Sequence, residues 1–142
     1  MVSGGSDNMV KVWDLKSGKY LNLNGHSLPV LTVAFCADER RVVSGSDDRT
    51  VKLWDSFSGE CIYSLANHSA SVNCVAFNLN GSVLASCSDD QSIKLWDTEN
   101  GECLKTLEGH DGPVFCISFS QDNHIIVSAS ADMTLRVWDY ST

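Results

Sequence analysis

Between residues 28 and 66 the chain alternates short apolar runs with short polar ones. In "PVLTVAFCAD", Val30, Thr32 and Ala34 fall on one alternating face and Leu31, Val33 and Phe35 on the other. A strand that is apolar on both faces predicts cover on both. "RRVVSGS" predicts a second short strand, "TVKLWD" a third, and "ECIYSL" a fourth that is more polar. The breaks, "DDR" and "SFSG", carry the Asp, Ser and Gly that tight turns favour. No window shows helical periodicity. The pattern predicts a four-stranded antiparallel unit with two apolar faces, sandwiched between copies of itself.

Those copies are present. "SGSDDRTVKLWDS" (44–56) is matched by "SCSDDQSIKLWDT" (86–98), "SASADMTLRVWDY" (128–140) and, at the start, "SGGSDNMVKVWDL" (3–15). Trp13, Trp54, Trp96 and Trp138 follow one another at intervals of 41, 42 and 42 residues, each succeeded by an aspartate. His26, His68 and His110 lie 42 residues apart, each 28 before a repeated tryptophan. A period of this length identifies a repeat architecture before any local assignment is made.

The Gly-His ahead of the first strand and the "KLWD" or "RVWD" closing the third resemble the WD40 repeat family. The resemblance spans essentially the whole chain. It implies an all-β fold of β-propeller blades, here about 3.5 four-stranded antiparallel blades of an incomplete propeller arc. The expected units are a partial blade at 1–24, blades at 25–66 and 67–108, and a blade lacking its outer strand at 109–142. Propellers carry about four to eight blades, so this arc does not close by itself. Met1 aligns with Val42 inside a strand, so the front reads as cut. The resemblance further implies a structural hydrogen-bond tetrad in each full repeat: His26–Ser44–Asp48–Trp54, His68–Ser86–Asp90–Trp96 and His110–Ser128–Asp132–Trp138. The first unit keeps Ser3, Asp7 and Trp13 without a histidine.

Two departures from the repeat stand out. Asn67-His68 replaces Gly-His, and Asn is the residue after glycine that best tolerates a positive φ, so the turn is expected to survive. "KYLNLNGH" is one residue shorter than "ECIYSLANH", which predicts the loss of one step of alternation in an outer strand.

A formal net charge of −8 argues against a nucleic-acid backbone or an anionic membrane as partner. The six cysteines, Cys36, Cys61, Cys74, Cys87, Cys103 and Cys116, have no CxxC spacing. They read as reduced, buried core residues of a cytoplasmic or nuclear protein. The recurrent Ser, His and Asp ends in tryptophan and occurs three times, unlike a hydrolase triad, so no catalytic role is expected. Histidines one blade apart cannot converge on one metal, and neither a metal nor a cofactor is expected. Arg40, Arg41 and Arg49 sit among Asp38, Glu39, Asp47 and Asp48, which reads as a solvated mixed-charge surface.

The function expected is a non-catalytic scaffold for protein or peptide partners. The resemblance places binding on the narrow face around the central channel, with Leu31, Asn73 and Phe115 beside Asp47 and Asp89 as candidates. Self-association, or pairing with missing blades, is a further expected contact. The alternatives are a truncated propeller fragment without its own function and a substrate receptor of a ubiquitin ligase. The latter's WDxR signature is absent from "WDLK", "WDSF", "WDTE" and "WDYS".

Overall fold

A computed structural model describes residues 1–140 as strands joined by turns, with no helix among them. The first sheet holds β1 (Val2–Gly4), β2 (Val10–Trp13) and β3 (Tyr20–Leu23). The second holds β4 (Val30–Phe35), β5 (Arg41–Ser46), β6 (Val51–Asp55) and β7 (Cys61–Leu65). The third repeats it with β8 (Val72–Phe77), β9 (Val83–Ser88), β10 (Ile93–Asp97) and β11 (Cys103–Leu107). The fourth holds β12 (Val114–Phe119), β13 (Ile125–Ser130) and β14 (Leu135–Asp139). All pairs are antiparallel between neighbours in sequence, and each sheet packs on the next through its first strands, β1 on β4, β4 on β8, and β8 on β12. The result is an open arc of blades.

Three apolar cores fill the spaces between the four sheets. Val10 and Leu23 meet Val30, Val42 and Trp54 in the first space. Val43, Val51, Leu53 and Leu65 meet Val72, Val75, Leu84 and Trp96 in the second. Ala85, Cys87, Ile93, Leu95 and Leu107 meet Val114, Ile117 and Ile126 in the third. Burial of each such aliphatic side chain is worth roughly 1.5–3 kcal/mol. The sheets approach closely at Gly45, where a Cβ would stand 2.6 Å from Val72 Cγ1, as one at Gly4 would from Val30 Cγ1. The equivalent residues of the next sheets are Cys87 and Ala129.

The innermost strands depart from simple alternation. Val30 pairs with Ser46 and Thr32 with Gly45, so Leu31 is an extra residue in a β-bulge. Asn73 and Phe115 occupy the same place in β8 and β12. The extra residue switches the face of everything before it. Val30 therefore joins Val33 and Phe35 against the first sheet, while Ala34 packs toward the third and Thr32 Oγ1 accepts the Val75 N–H there. This corrects the grouping of Val30 with Thr32 and Ala34.

A second bulge lies between the third and fourth strands. Leu53 pairs with Tyr63 and Trp54 with Cys61, leaving Ile62 as the extra residue, and Leu104 repeats it. In the first sheet Trp13 pairs with Tyr20 and Val12 with Leu21 without a shift. The missing residue of "KYLNLNGH" is thus the bulge residue. No step of alternation is lost, because Val10 still faces Leu23 as Val51 faces Leu65. Asn67 is likewise not among the residues with positive φ. At its place in the previous repeat, Gly25 lies close to a ring, since a Cβ there would stand 3.1 Å from Trp54, a tight fit that the Asn67 repeat accommodates.

The cysteines also differ from expectation. Only Cys36 and Cys87 are fully buried, and Cys74 is half-buried. Cys61 and Cys103 are exposed on outer strands, and Cys116 is exposed on the uncovered face of the last sheet. Equivalent positions repeat, but an outer strand has less to cover it, and among the described residues no sheet packs on the far face of the last one. Arg41 is more than a solvated charge. Its guanidinium donates to Asp38 Oδ2 at 2.8 Å and, across the blade interface, to Thr98 Oγ1 at 2.7 Å.

Candidate functional site

Two constellations have site-like geometry: the polar network inside each blade, and the side chains at the innermost bulges. The network is built on the hairpin between the second and third strands of a blade. In the second sheet, Trp54 Nε1 donates to Ser44 Oγ at 2.8 Å, and Ser44 Oγ lies 2.7 Å from His26 Nε2. His26 Nδ1 lies 2.8 Å from Asp48 Oδ2. The third sheet repeats these distances at 2.9, 2.7 and 2.8 Å through Trp96, Ser86, His68 and Asp90. The fourth gives 2.8, 2.7 and 2.6 Å through Trp138, Ser128, His110 and Asp132. In the first sheet only Trp13 Nε1 to Ser3 Oγ, at 2.9 Å, is made, and Asp7 pairs with Lys11 instead.

One assignment of protons satisfies every member. An indole N–H can only donate, so Ser44 Oγ accepts it and gives its own proton to His26 Nε2. The imidazole is then neutral with its proton on Nδ1, which donates to the Asp48 carboxylate. A protonated ring would present a second donor to Ser44 and strand the serine proton. The protons all point one way, from tryptophan to carboxylate.

The aspartate end carries partners absent from the tetrads read in the sequence. Thr50 Oγ1 donates to Asp48 Oδ1 at 2.6 Å, and Ser92 and Thr134 do the same for Asp90 and Asp132. Backbone N–H groups of Ser27 and Thr50 also donate to Asp48. Ser46, Ser88 and Ser130 tie the turn to Leu28 O, Ala70 O and Gly112 O. The signal for both hydroxyls lay in the repeat, as a serine two residues before each aspartate and a Thr or Ser two residues after it. Burial works against the charge on Asp48 and Asp90, but these hydrogen bonds outweigh it and hold both carboxyls down at about 2. Asp132 is also lowered, with the Thr134 hydroxyl the largest cause. Burial pushes His26 and His68 below the ordinary imidazole range, against the pull of Asp48 and Asp90. Each of these histidines is engaged on both nitrogens within its own blade, which leaves no ring nitrogen free for a metal.

The other constellation lines the edge where the innermost strands begin. The bulges aim Leu31 and Phe115 outward, where they are 46% and 55% exposed. Asp89 is exposed and Asp47 half-buried, each with its backbone N–H held by the strand in front, at Ser71 O and Pro29 O. Asn73 differs from its two counterparts. Its Nδ2 donates to Asp89 Oδ1 at 2.6 Å and to Val114 O at 3.0 Å, so it links the third blade to the fourth and orients an acidic group. The structure brings Asn73 and Asp89 together and sets Leu31 and Phe115 at matching places on blades to either side.

The family model of the WD40 repeat (WD domain, G-beta repeat) matches residues 18–55, 59–97 and 101–139, most of the chain. The chain belongs to the WD40-repeat family. Each matched segment starts in or just before the outer strand of one sheet and ends with the third strand of the next, so the sequence repeat straddles two blades. Such repeats generally mediate protein–protein interaction and are typically non-enzymatic. Comparison with curated proteins gives no match.

Trp96→Phe removes one donor from Ser86 and is expected to lower unfolding stability by about 1–3 kcal/mol in chemical denaturation. Ser86→Ala strands both the indole N–H and His68 Nε2 and should cost more; equal or smaller loss would refute the chain of donors. The network also sets the acid response. Neutral His26 and His68 bind fewer protons than the unfolded chain does below about pH 6.5, so stability should fall from there. The depressed carboxyls contribute stability that is complete above about pH 4 and is lost as pH drops toward 2. A thermal midpoint followed by near-ultraviolet circular dichroism should therefore decline in two stages on acidification, and a rise between pH 7 and 5 would contradict the neutral rings.

Proposed function

We propose that this chain is a non-catalytic scaffold that holds a protein segment on the channel-side edge of its blades. The observation that carries the reading is the shared bulge, which leaves Leu31 and Phe115 exposed at the places equivalent to Asn73, whose amide holds Asp89. An exposed aromatic and an exposed leucine near fixed carboxylates suit an extended peptide with an apolar anchor and a basic side chain. The chain's acidic balance steers the same partner. Selection of displayed peptides on the intact chain tests this. Enrichment of sequences pairing a basic residue with a bulky apolar one is expected, with binding lost in Phe115→Ala and weakened in Asp89→Asn at unchanged melting temperature. Binding indifferent to both substitutions would remove this edge from the site.

A second surface is favoured by the last sheet. Leu135 and Val137 are 74% and 68% exposed, whereas Val51 and Leu53, their equivalents, are 0% and 1%. Covering one such face with a matching one buries on the order of 600 Å² and gains grossly about 15 kcal/mol before the costs of association. Blades of a second copy would supply that match. The light-scattering mass of the purified chain is expected to be a small discrete multiple of 15.5 kDa. Monomer or polydisperse aggregate would overturn self-pairing.

A further inference from the structure

The third sheet carries a pair of thiols that the binding reading does not use. In the register of β8 and β9, Cys74 stands directly opposite Cys87. Both side chains enter the space between the third and fourth sheets, Cys87 fully buried and Cys74 packed against its cluster. The pairing belongs to the regular register that runs from Phe77 opposite Leu84 to Cys74 opposite Cys87, and the bulge at Asn73 shifts only the residues ahead of it. Directly opposed residues on one face of an antiparallel pair have Cβ atoms about 4.5–5.5 Å apart. A disulfide asks for about 3.5–4.5 Å, a difference that a small closing of the strand pair supplies. The equivalent opposed pairs are Thr32 with Gly45 and Cys116 with Ala129, so only this blade places two thiols there.

The surroundings distinguish the two sulfurs. Cys74 Sγ lies 3.9 Å from Ile117 O in the fourth sheet and 4.0 Å from Val75 O. The neighbouring Cys87 thiol is the largest of the influences that lower the Cys74 thiol, while the same proximity and burial push Cys87 up. Cys74 is half-buried and Cys87 has no exposed surface, so a reagent reaches Cys74 first.

We propose that Cys74 and Cys87 form a redox-active dithiol, with Cys74 the attacking sulfur toward small-molecule disulfides and Cys87 the resolving one. The Cys74 thiolate attacks one sulfur of oxidised glutathione, and a glutathione thiolate leaves and takes up the proton that Cys74 released. Cys87 then gives its proton to solvent and attacks the Cys74 sulfur, expelling the second glutathione, which is protonated in turn. Two protein thiols and one small disulfide become one cross-strand disulfide and two small thiols, which balances atoms and electrons.

The test treats the intact chain with oxidised glutathione, blocks the remaining thiols, and maps peptides without reduction. The expected product in the unsubstituted chain is a linked Cys74–Cys87 peptide pair, unchanged in Cys116→Ser. Cys87→Ala, which installs the alanine of the fourth sheet, should leave glutathione trapped on Cys74. Cys74→Thr, which installs the threonine of the second sheet, should abolish both the adduct and the link. Because both replacements occur at the same place in neighbouring blades, their effects report thiol chemistry rather than loss of fold. A Cys74–Cys116 link, or adducts confined to the exposed Cys61, Cys103 and Cys116, would overturn the assignment.

Discussion

A sheet with two apolar faces is stable in water only when both faces are covered, and the whole architecture follows from that requirement. Val42 and Val43, adjacent in β5, are both fully buried because they point into different cores, one shared with the first sheet and one with the third. No single blade of this chain could hold such a strand alone. Stability is therefore a property of neighbouring pairs, as in other repeat proteins, where each unit contributes its interface as much as its own fold. The same requirement explains the exposed Leu135 and Val137, whose chemistry is that of buried residues.

Apolar packing gives no polar group a partner, and the second, third and fourth blades each solve that problem with one network. The tryptophan ring lies in the core shared with the preceding blade, while its N–H is committed to a serine within its own blade. The histidine passes the hydrogen bond to a carboxylate that also anchors the turn. Apolar contact between blades and polar satisfaction within a blade are joined in one side chain. The result is that the hairpin between second and third strands has a single conformation, compatible with non-glycine residues at positive φ such as Arg49, Gln91 and Met133.

The bulges convert this repetitive frame into a surface with directions. An unbroken strand would send Leu31, Asn73 and Phe115 into a core. One extra residue per strand sends two of them outward and leaves Asn73 to cross to the next blade. Cys74, one step beyond the bulge, keeps the regular register opposite Cys87. The candidate edge thus has one local cause, a backbone irregularity in β8 and its counterparts.

Repeat length, strand pattern and turn positions were legible in the sequence, because apolar runs and a Trp-Asp and His recurring at constant spacing mark one unit written several times, while the tetrad residues came through the family resemblance. The candidate edge rests on the same resemblance, and the Thr or Ser that closes each carboxylate was written at fixed spacing though not read. Tertiary structure decided the rest. Alternation of side chains is a property of regular pairing, so a sequence cannot display where a strand inserts an extra residue: Val30 changed faces, and the missing residue before Asn24 proved to be a bulge and not a slip. Burial depends on what lies beyond the strand, so Cys74 and Cys116, at equivalent places in the repeat, ended half-buried and exposed. Local pattern determined which residues form each blade; contact between blades determined which of them meet.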